Sequence, residues 1–248
     1  MDWAVAAAAA LVGYLLGSIS FARLIVGLRK PDADISRIEV TLASGEVFVS
    51  TSVSATAVRM TLGPRFGLLT AFLDIAKVFV PTLAFRLWAP DQPYSLIVAA
   101  AGVVGHDLPL YYRFKGGRGE SAVYGGFLAI SPLGVLVTTL LGAGLGFVAG
   151  NILVLRWGGM VLMVPWLWLA TGDPLTVVYG LFVVIAYLLA MRGELTQYGS
   201  MRSEGTDPTN EEIADEFAMG GGLGRALDRY GLIPALVRWA RGARGAGS

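Results

Sequence analysis

A run of 35 residues without a charged side chain, at positions 121–155, is the feature that most restricts how this chain can fold. A helix needs about 20 apolar residues to cross the hydrocarbon core of a bilayer, so the run is too long for one crossing. Ser131, Pro132 and Gly134 supply a turn inside it. Two membrane helices are therefore predicted here.

Five further stretches have the composition of membrane helices, and they lie at 3–22, 66–85, 94–112, 157–172 and 174–191. The whole chain agrees, because 55% of its residues are hydrophobic and 15% are charged. A soluble domain carries about 25% charged residues. The first stretch lacks the cleavage motif of a signal peptide and is predicted to be retained. Seven crossings result, of which the fourth, at 121–131, is unusually short.

Basic residues near the ends of these helices are divided unequally between the two sides of the membrane. With an external N-terminus, one side receives only Arg86. The other receives Arg29, Lys30, Arg37, Arg59, Arg65, Arg113, Lys115, Arg118, Arg156 and Arg192. Because loops rich in Lys and Arg stay in the cytoplasm, this second side is predicted to be cytoplasmic.

Two elements outside the membrane are predicted on the cytoplasmic side. Alternating residues on both sides of Gly45 indicate a β-hairpin at 37–52. In the tail, Thr209 and Glu212 have the spacing of a helix capping box. Arginines interleaved with apolar residues at 223–244 suit an amphipathic helix on anionic lipid, broken near Gly231 and Pro234. A solvated or disordered basic tail is the alternative.

The predicted fold is thus all-α and integral to the membrane, with seven transmembrane helices, an external N-terminus, a small cytoplasmic hairpin and a helical C-terminal tail. We divide the chain into a transmembrane domain at 1–192 and a tail at 193–248. The chain has no cysteine and one histidine, which excludes disulfides and multi-histidine metal centres. No metal, other cofactor or nucleic acid is expected as a ligand.

The loop before the fourth predicted helix holds the strongest candidate site. Gly116, Gly117 and Gly119 surround Lys115 and Arg118, so backbone N–H groups and two cations can approach one anion. The pattern lacks the spacing of a nucleotide-binding P-loop. The alternative is that the two cations merely mark the membrane boundary.

Three ionisable residues within the predicted helices are further candidates. His106 can orient or deprotonate a substrate hydroxyl, because its unperturbed pKa lies near neutrality; it can equally be a structural, hydrogen-bonded histidine. Asp74 and Lys77 lie three residues apart and are predicted to pair toward the interior of the bundle. A structural pair is the alternative to a catalytic role for them.

The sequence resembles the PlsY-like acyl-phosphate:glycerol-3-phosphate acyltransferases over about residues 10–192. The resemblance is carried by Gly105-His106, Pro109 and Phe114-Lys115-Gly116-Gly117-Arg118-Gly119, by residues 14–21, by Leu62-Gly63, and by Asp74 with Lys77. Two other family motifs are degraded. In the segment 50–57 the glycines and asparagines of the family are missing, and Arg59 lies one residue before the family's arginine position. After the last helix, Glu194 stands within the third motif.

The resemblance implies a bacterial inner-membrane enzyme of phospholipid synthesis with a cytoplasmic active face. Its substrates would be acyl phosphate and glycerol 3-phosphate, its product lysophosphatidate, and its surroundings membrane lipid. His106 and Lys115 are the candidate catalytic residues. The candidate phosphate ligands are Lys115, Gly116, Gly117, Arg118, Gly119, Ser50, Ser52, Thr56 and Arg59. An enzyme with a changed acceptor, and an inactive lipid-binding or scaffolding protein, remain as alternatives; transport is a weaker one.

Overall fold

The computed structural model describes residues 1–216, 219–236 and 238. Over these residues the chain is mainly helical, with one two-stranded antiparallel sheet. The helices are α1 (Trp3–Gly17), α2 (Phe21–Arg29), α3 (Ala55–Leu62), α4 (Pro64–Trp88), α5 (Tyr94–Asp107), α6 (Glu120–Ile130), α7 (Pro132–Ala149), α8 (Ile152–Thr171), α9 (Pro174–Ala190), α10 (Arg192–Glu204), α11 (Asn210–Glu216) and α12 (Gly221–Tyr230). The strands are β1 (Ile38–Thr41) and β2 (Val47–Ser50), and a 3₁₀ turn covers Leu110–Tyr112.

The long uncharged run is broken where local capping chemistry ends and begins a helix. The predicted turn at Ser131 is confirmed, since Ser131 caps α7 and Pro132 is its first residue. The next boundary was predicted beside Arg156, and that prediction is wrong. Gly150 ends α7 in the left-handed conformation, and the side chain of Asn151 caps α8. Arg156 therefore lies within α8.

Four helical stretches in the described part of the chain are long and apolar enough to cross a membrane. They are α1 with α2 taken together, α4, α7 and α8. Helices α9 and α10, bent by 62° at their junction, form a fifth if they are counted as one span. The predicted α5 and α6 crossings have 14 and 11 residues. At 1.5 Å per residue they extend about 21 and 17 Å, less than the hydrocarbon thickness.

The helices pack through small residues and bury an apolar core. Helix α1 approaches α5 closely because Gly17 has no side chain, and a Cβ atom there would overlap the carbonyl of Gly102. The main core contains Phe127, Met163 and Val183, from α6, α8 and α9. Large apolar side chains elsewhere on the membrane helices point outward, as they do in a bilayer.

The predicted hairpin is present and is held by α10. Strands β1 and β2 pair from Ile38↔Ser50 to Thr41↔Val47. Phe48 stacks on the ring of Tyr198 in α10, with ring centroids 4.9 Å apart. The Gln197 side chain hydrogen-bonds both backbone groups of Val49, at 3.0 and 2.8 Å. Helix α10 thus fixes the end of β2, from which the segment 50–54 leads into α3.

The tail begins with the predicted capping box. The Thr209 N–H donates to Glu212 at 2.9 Å, and the Glu212 N–H donates to the Thr209 hydroxyl at 3.2 Å. Asn210 anchors α11 to the α7–α8 turn by accepting the N–H of Ile152 and donating to the carbonyl of Gly150.

The amphipathic helix predicted at 223–244 is interrupted at Gly231, as predicted, whereas Pro234 lies within the helical residues 232–236. Helix α12 ends at Tyr230, and Gly231 is its C-cap. Tyr230, Leu232, Ile233 and Leu236 are exposed. The rest of this prediction, including Val237, Trp239, Arg241 and Arg244, lies outside the described residues.

Candidate functional site

A cavity of about 640 Å³ lies where α3, α4, α6, α7 and α8 meet the end of the glycine-rich loop. Its cationic lining residues are Arg59, Arg118 and Arg156, and its apolar ones include Leu68, Ala71, Ile75, Ala143 and Leu155. Such a lining suits an amphiphilic ligand with an anionic head group and an alkyl chain.

The loop 113–119 is folded tightly against the C-terminal end of α5. The Gly117 N–H donates to the carbonyl of His106 at 3.2 Å, and the carbonyl of Gly116 accepts from the N–H of Val53 at 3.1 Å. A Cβ atom on Gly116 would overlap the carbonyl oxygens of His106 and Asp107. The glycines therefore allow close packing of the loop, and the Gly117 amide is used within the protein itself.

The N-terminus of α6 faces the cavity directly after this loop. Gly119 is its N-cap, with φ of 87°, and makes no side-chain capping hydrogen bond. Gly119, Glu120 and Ser121 line the cavity. The helix dipole favours an anion at this position. The Glu120 carboxylate pairs with Arg156 at the same place.

Arg118 is buried between two carboxylates of its own chain. Its Nη1 atom lies 2.9 Å from Glu194 Oε2 and 3.2 Å from Glu216 Oε1. Burial alone would lower the pKa of Arg118, but the two carboxylates outweigh it and raise that pKa. The guanidinium therefore stays charged and forms the centre of a buried ionic cluster.

Ser50 and Ser52 contact the same acidic group. The Ser50 hydroxyl donates to Glu194 Oε1 at 2.6 Å, and the Ser52 hydroxyl donates to the same oxygen at 3.3 Å. These two serines and Arg118 were all predicted as phosphate ligands. The structure brings the three together around one carboxylate, with the two serines on Oε1 and Arg118 on Oε2. Donors of these kinds also bind the oxygens of a phosphate.

Thr56 and Arg59 lie in α3 on the wall of the cavity. The Arg59 guanidinium donates a hydrogen bond to the backbone carbonyl of Asp215, the residue next to Glu216. Two predicted cationic phosphate ligands, Arg59 and Arg118, are therefore engaged by adjacent residues of α11.

The predicted catalytic residues lie apart from each other. His106 lines the cavity, and its Nδ1 atom is 3.7 Å from Asp74 Oδ1. Lys115 is exposed and is not part of the lining formed by the described residues. Its backbone carbonyl accepts a hydrogen bond from Arg23 at 3.1 Å.

The predicted pairing of Asp74 with Lys77 is confirmed. Lys77 Nζ lies 2.8 Å from Asp74 Oδ1, and both side chains are buried. Lys77 also donates to the carbonyl of Ile19 at 2.7 Å, between α1 and α2. The pair therefore joins α4 to the break that follows α1.

Sequence reasoning missed Glu216, Asp215 and Tyr198 as residues of this site. Tyr198 donates its hydroxyl hydrogen to Glu216 Oε2 at 2.7 Å. Burial raises the pKa of Glu216 above its ordinary value of 4.5; Arg118 and Tyr198 oppose the rise and Glu194 adds to it. Glu216 is 98 residues from Arg118 along the chain. The only relevant signal in the sequence was the capping box that starts α11.

The apolar spans and the cavity at their end define the class of the protein, which is an integral membrane protein. The sequence profile of the glycerol-3-phosphate acyltransferase family matches residues 7–197. The chain belongs to this family. Glu194 lies inside the matched stretch, whereas α11 and Glu216 lie beyond it.

Relatives named glycerol-3-phosphate acyltransferase include proteins of several bacteria. The one from Pseudothermotoga lettingae is 37% identical over 123 residues, which are 50% of this chain and 56% of that protein. The Aquifex aeolicus protein is 34% identical over 136 residues, 54% of this chain and 65% of its own length. The Desulfotalea psychrophila protein is 32% identical over 179 residues, which are 71% of this chain and 85% of that protein. The chain thus spans less than two thirds of the first two relatives.

Two crystal structures of PlsY (YgiH), an integral membrane glycerol 3-phosphate acyltransferase, resemble this fold. The glycerol 3-phosphate form has a TM-score of 0.64 and 25% identity, and the match covers 82% of this chain and 94% of PlsY. The lysophosphatidic acid form has a TM-score of 0.63 at the same identity, and the match covers 82% and 93%.

Proposed function

We propose that the chain transfers an acyl group from acyl phosphate to glycerol 3-phosphate and so forms lysophosphatidate. The observation that carries this proposal is the cavity, in which an apolar wall adjoins Arg59, Arg118 and Arg156 and the N-terminus of α6. Membership of the glycerol-3-phosphate acyltransferase family supports the acceptor. The acyl phosphate donor is what the family resemblance implies, and a cavity with an apolar wall beside arginines is compatible with an alkyl chain attached to a phosphate.

The reaction asks little of the protein beyond placement and charge neutralisation. The acceptor hydroxyl oxygen bonds to the acyl carbonyl carbon, the carbon–oxygen bond to phosphate breaks, and phosphate leaves with the electron pair. Holding the two phosphorylated molecules side by side supplies much of the acceleration. The hydroxyl proton passes to a base, and His106 at the cavity wall is the candidate.

The phosphate groups would be held by residues of the loop and of α3. In this proposal Arg118 binds a phosphate from the cavity side. Ser50 and Ser52 lie next to it, where they donate to Glu194 Oε1 while Arg118 donates to Oε2. Thr56 and Arg59 extend the site along the cavity, and residues 115–119 close it. Lys115 would turn inward from its exposed position to neutralise charge on the leaving phosphate.

We propose seven crossings with an external N-terminus, the site on the cytoplasmic face of a bacterial inner membrane, and the tail of 193–248 in the cytoplasm. In α4, Arg65 is near one end and Arg86 near the other, so the basic residues stay divided between the two ends. With the boundary at Gly150, Arg156 lies near the N-terminal end of α8, which stays on the predicted cytoplasmic side. In this arrangement α5, extended by its 3₁₀ turn, and α6 are the two short crossings, and both contribute residues to the cavity lining.

The test is acyl transfer by the purified full-length protein from palmitoyl phosphate to labelled glycerol 3-phosphate. We expect lysophosphatidate, and a loss of about ten-fold or more in kcat/KM for Lys115→Ala, the size typical of one charged ligand. Lys30→Ala, an exposed lysine at the end of α2, is the matched control and should be unaffected. Absence of product under conditions where another family member is active would refute the proposal.

The carboxylate of Glu194 among the predicted phosphate ligands favours one second candidate, an acyltransferase with a different acceptor. Transfer from palmitoyl phosphate to alcohols without a phosphate group, abolished by Lys115→Ala, would support it. Lysophosphatidate as the sole product would reject it.

A further inference from the structure

We propose that α11, with its capping residue Thr209, is an internal latch that closes the phosphate site and is displaced by the phosphate of the substrate. We call residues 209–216 the latch. This inference rests on the proposed function, because it assigns a regulation to the same site.

The latch places two oxygens of adjacent residues on two cations of the site. The backbone carbonyl of Asp215 accepts from Arg59, and the carboxylate of Glu216 pairs with Arg118. The other Glu216 oxygen accepts from Tyr198. A substrate phosphate also offers several oxygens to arginines, so the latch and the substrate require the same donors.

The charges at Arg118 make simultaneous binding unfavourable. Its guanidinium faces the carboxylates of Glu194 and Glu216 in a buried cluster. A phosphate monoester adds a charge of about −1.5 to −2 at neutral pH. Like charges at such distances repel strongly where water is excluded. One carboxylate must therefore leave before a phosphate can bind Arg118.

Glu216 is the carboxylate that can leave. Glu194 accepts from Ser50 and Ser52 and sits in α10, which follows α9 after a single residue. The described part of α11 has seven residues, and Glu216 is the last of them. So short a helix is not stable by itself and forms only through its contacts. Losing the contact with Arg118 therefore weakens the whole latch.

The remaining contacts of the latch explain why it rests in the closed position. Ile213 and Ala214 are buried against the main core. Glu212 accepts the backbone N–H of Ala43, at the tip of the hairpin, at 2.6 Å. Met219, just after the latch, lines the cavity itself. Moving the latch would therefore widen the cavity next to Arg59 and Arg118.

The kinetic test compares Glu216→Gln with Glu211→Gln in the full chain. Glu211 lies on the same helix but pairs with Arg225 at the surface. Molecules with the latch closed cannot bind the phosphate, so their presence raises the apparent dissociation constant. Glu216→Gln reduces the closed population and should lower KM for glycerol 3-phosphate about three-fold or more, with kcat within about two-fold of the unmodified protein. Glu211→Gln should change neither value. An unchanged or raised KM in Glu216→Gln would overturn the latch.

A binding test does not depend on catalysis. Adding millimolar inorganic phosphate to the unmodified protein should speed amide hydrogen exchange in residues 210–216 and slow it in residues 115–119. Unchanged or slower exchange in 210–216 would overturn the latch. If exchange responds as expected while no lysophosphatidate forms, the proposed acyl transfer fails and the phosphate-displaced latch stands.

Discussion

Replacing Arg118 with methionine tests the buried ionic cluster that joins the site to the tail. The substitution leaves Glu194 and Glu216 facing each other, with side chains only 6% and 8% exposed. Removing one partner of a buried ion pair costs about 3–5 kcal/mol. Glu216, whose pKa is already raised by burial, can take up a proton and avoid part of that cost. The lower value, about 3 kcal/mol, is therefore the expected loss in the free energy that keeps α11 docked. It corresponds to roughly a 100-fold increase in the population in which α11 is undocked.

Amide hydrogen exchange in residues 210–216 measures this opening directly. Undocking of α11 separates the two carboxylates. The lost docking free energy should therefore make amide exchange in residues 210–216 about 100-fold faster in Arg118→Met than in the unmodified protein. The added substitution Glu216→Gln removes the repulsion and should restore most of the protection. The control is Arg225→Met, which breaks an exposed pair with Glu211 and should cost at most about 1 kcal/mol. Equal exchange rates in Arg118→Met and Arg225→Met would refute the reasoning.

Two further predictions concern the loop and the membrane pair. Gly116→Ala places a Cβ atom against the carbonyl oxygens at the end of α5. It should lower the free energy of unfolding by about 1–3 kcal/mol and abolish acyl transfer. In the control, Gly193→Ala, the added Cβ atom meets no neighbour, so neither stability nor acyl transfer should change. Lys77→Met leaves Asp74 buried without its cation, so thermal unfolding should show a loss of stability of about 3–5 kcal/mol. The double variant Lys77→Met/Asp74→Asn removes the unpaired charge and should recover part of that loss.

Features that depend on neighbouring residues could be predicted from the sequence. The capping box of Thr209 and Glu212, the hairpin around Gly45 and the pairing of Asp74 with Lys77 all arise from residues within a few positions of each other. The break at Ser131 followed from turn chemistry in the same way. The boundary near Arg156 was wrong because it was placed by charge, whereas a glycine and an asparagine cap decide where the helices end.

The contacts that define the site could not be predicted, because they connect distant parts of the chain. Arg118 lies 76 residues from Glu194 and 98 residues from Glu216. The family resemblance marked Glu194 as a departure from a phosphate-binding motif. It gave no partner for that carboxylate, and Glu216 lies beyond the matched stretch. Only the folded tail shows that both acids meet one arginine.

The central claim is that Arg118 is shared between the protein's own carboxylates and the phosphate of its substrate. Calorimetric titration of glycerol 3-phosphate into the full-length protein tests it most directly. The account predicts that Glu216→Gln binds about three-fold or more tightly than the unmodified protein, and that Arg118→Met binds about ten-fold or more weakly. Equal dissociation constants in all three proteins would contradict it.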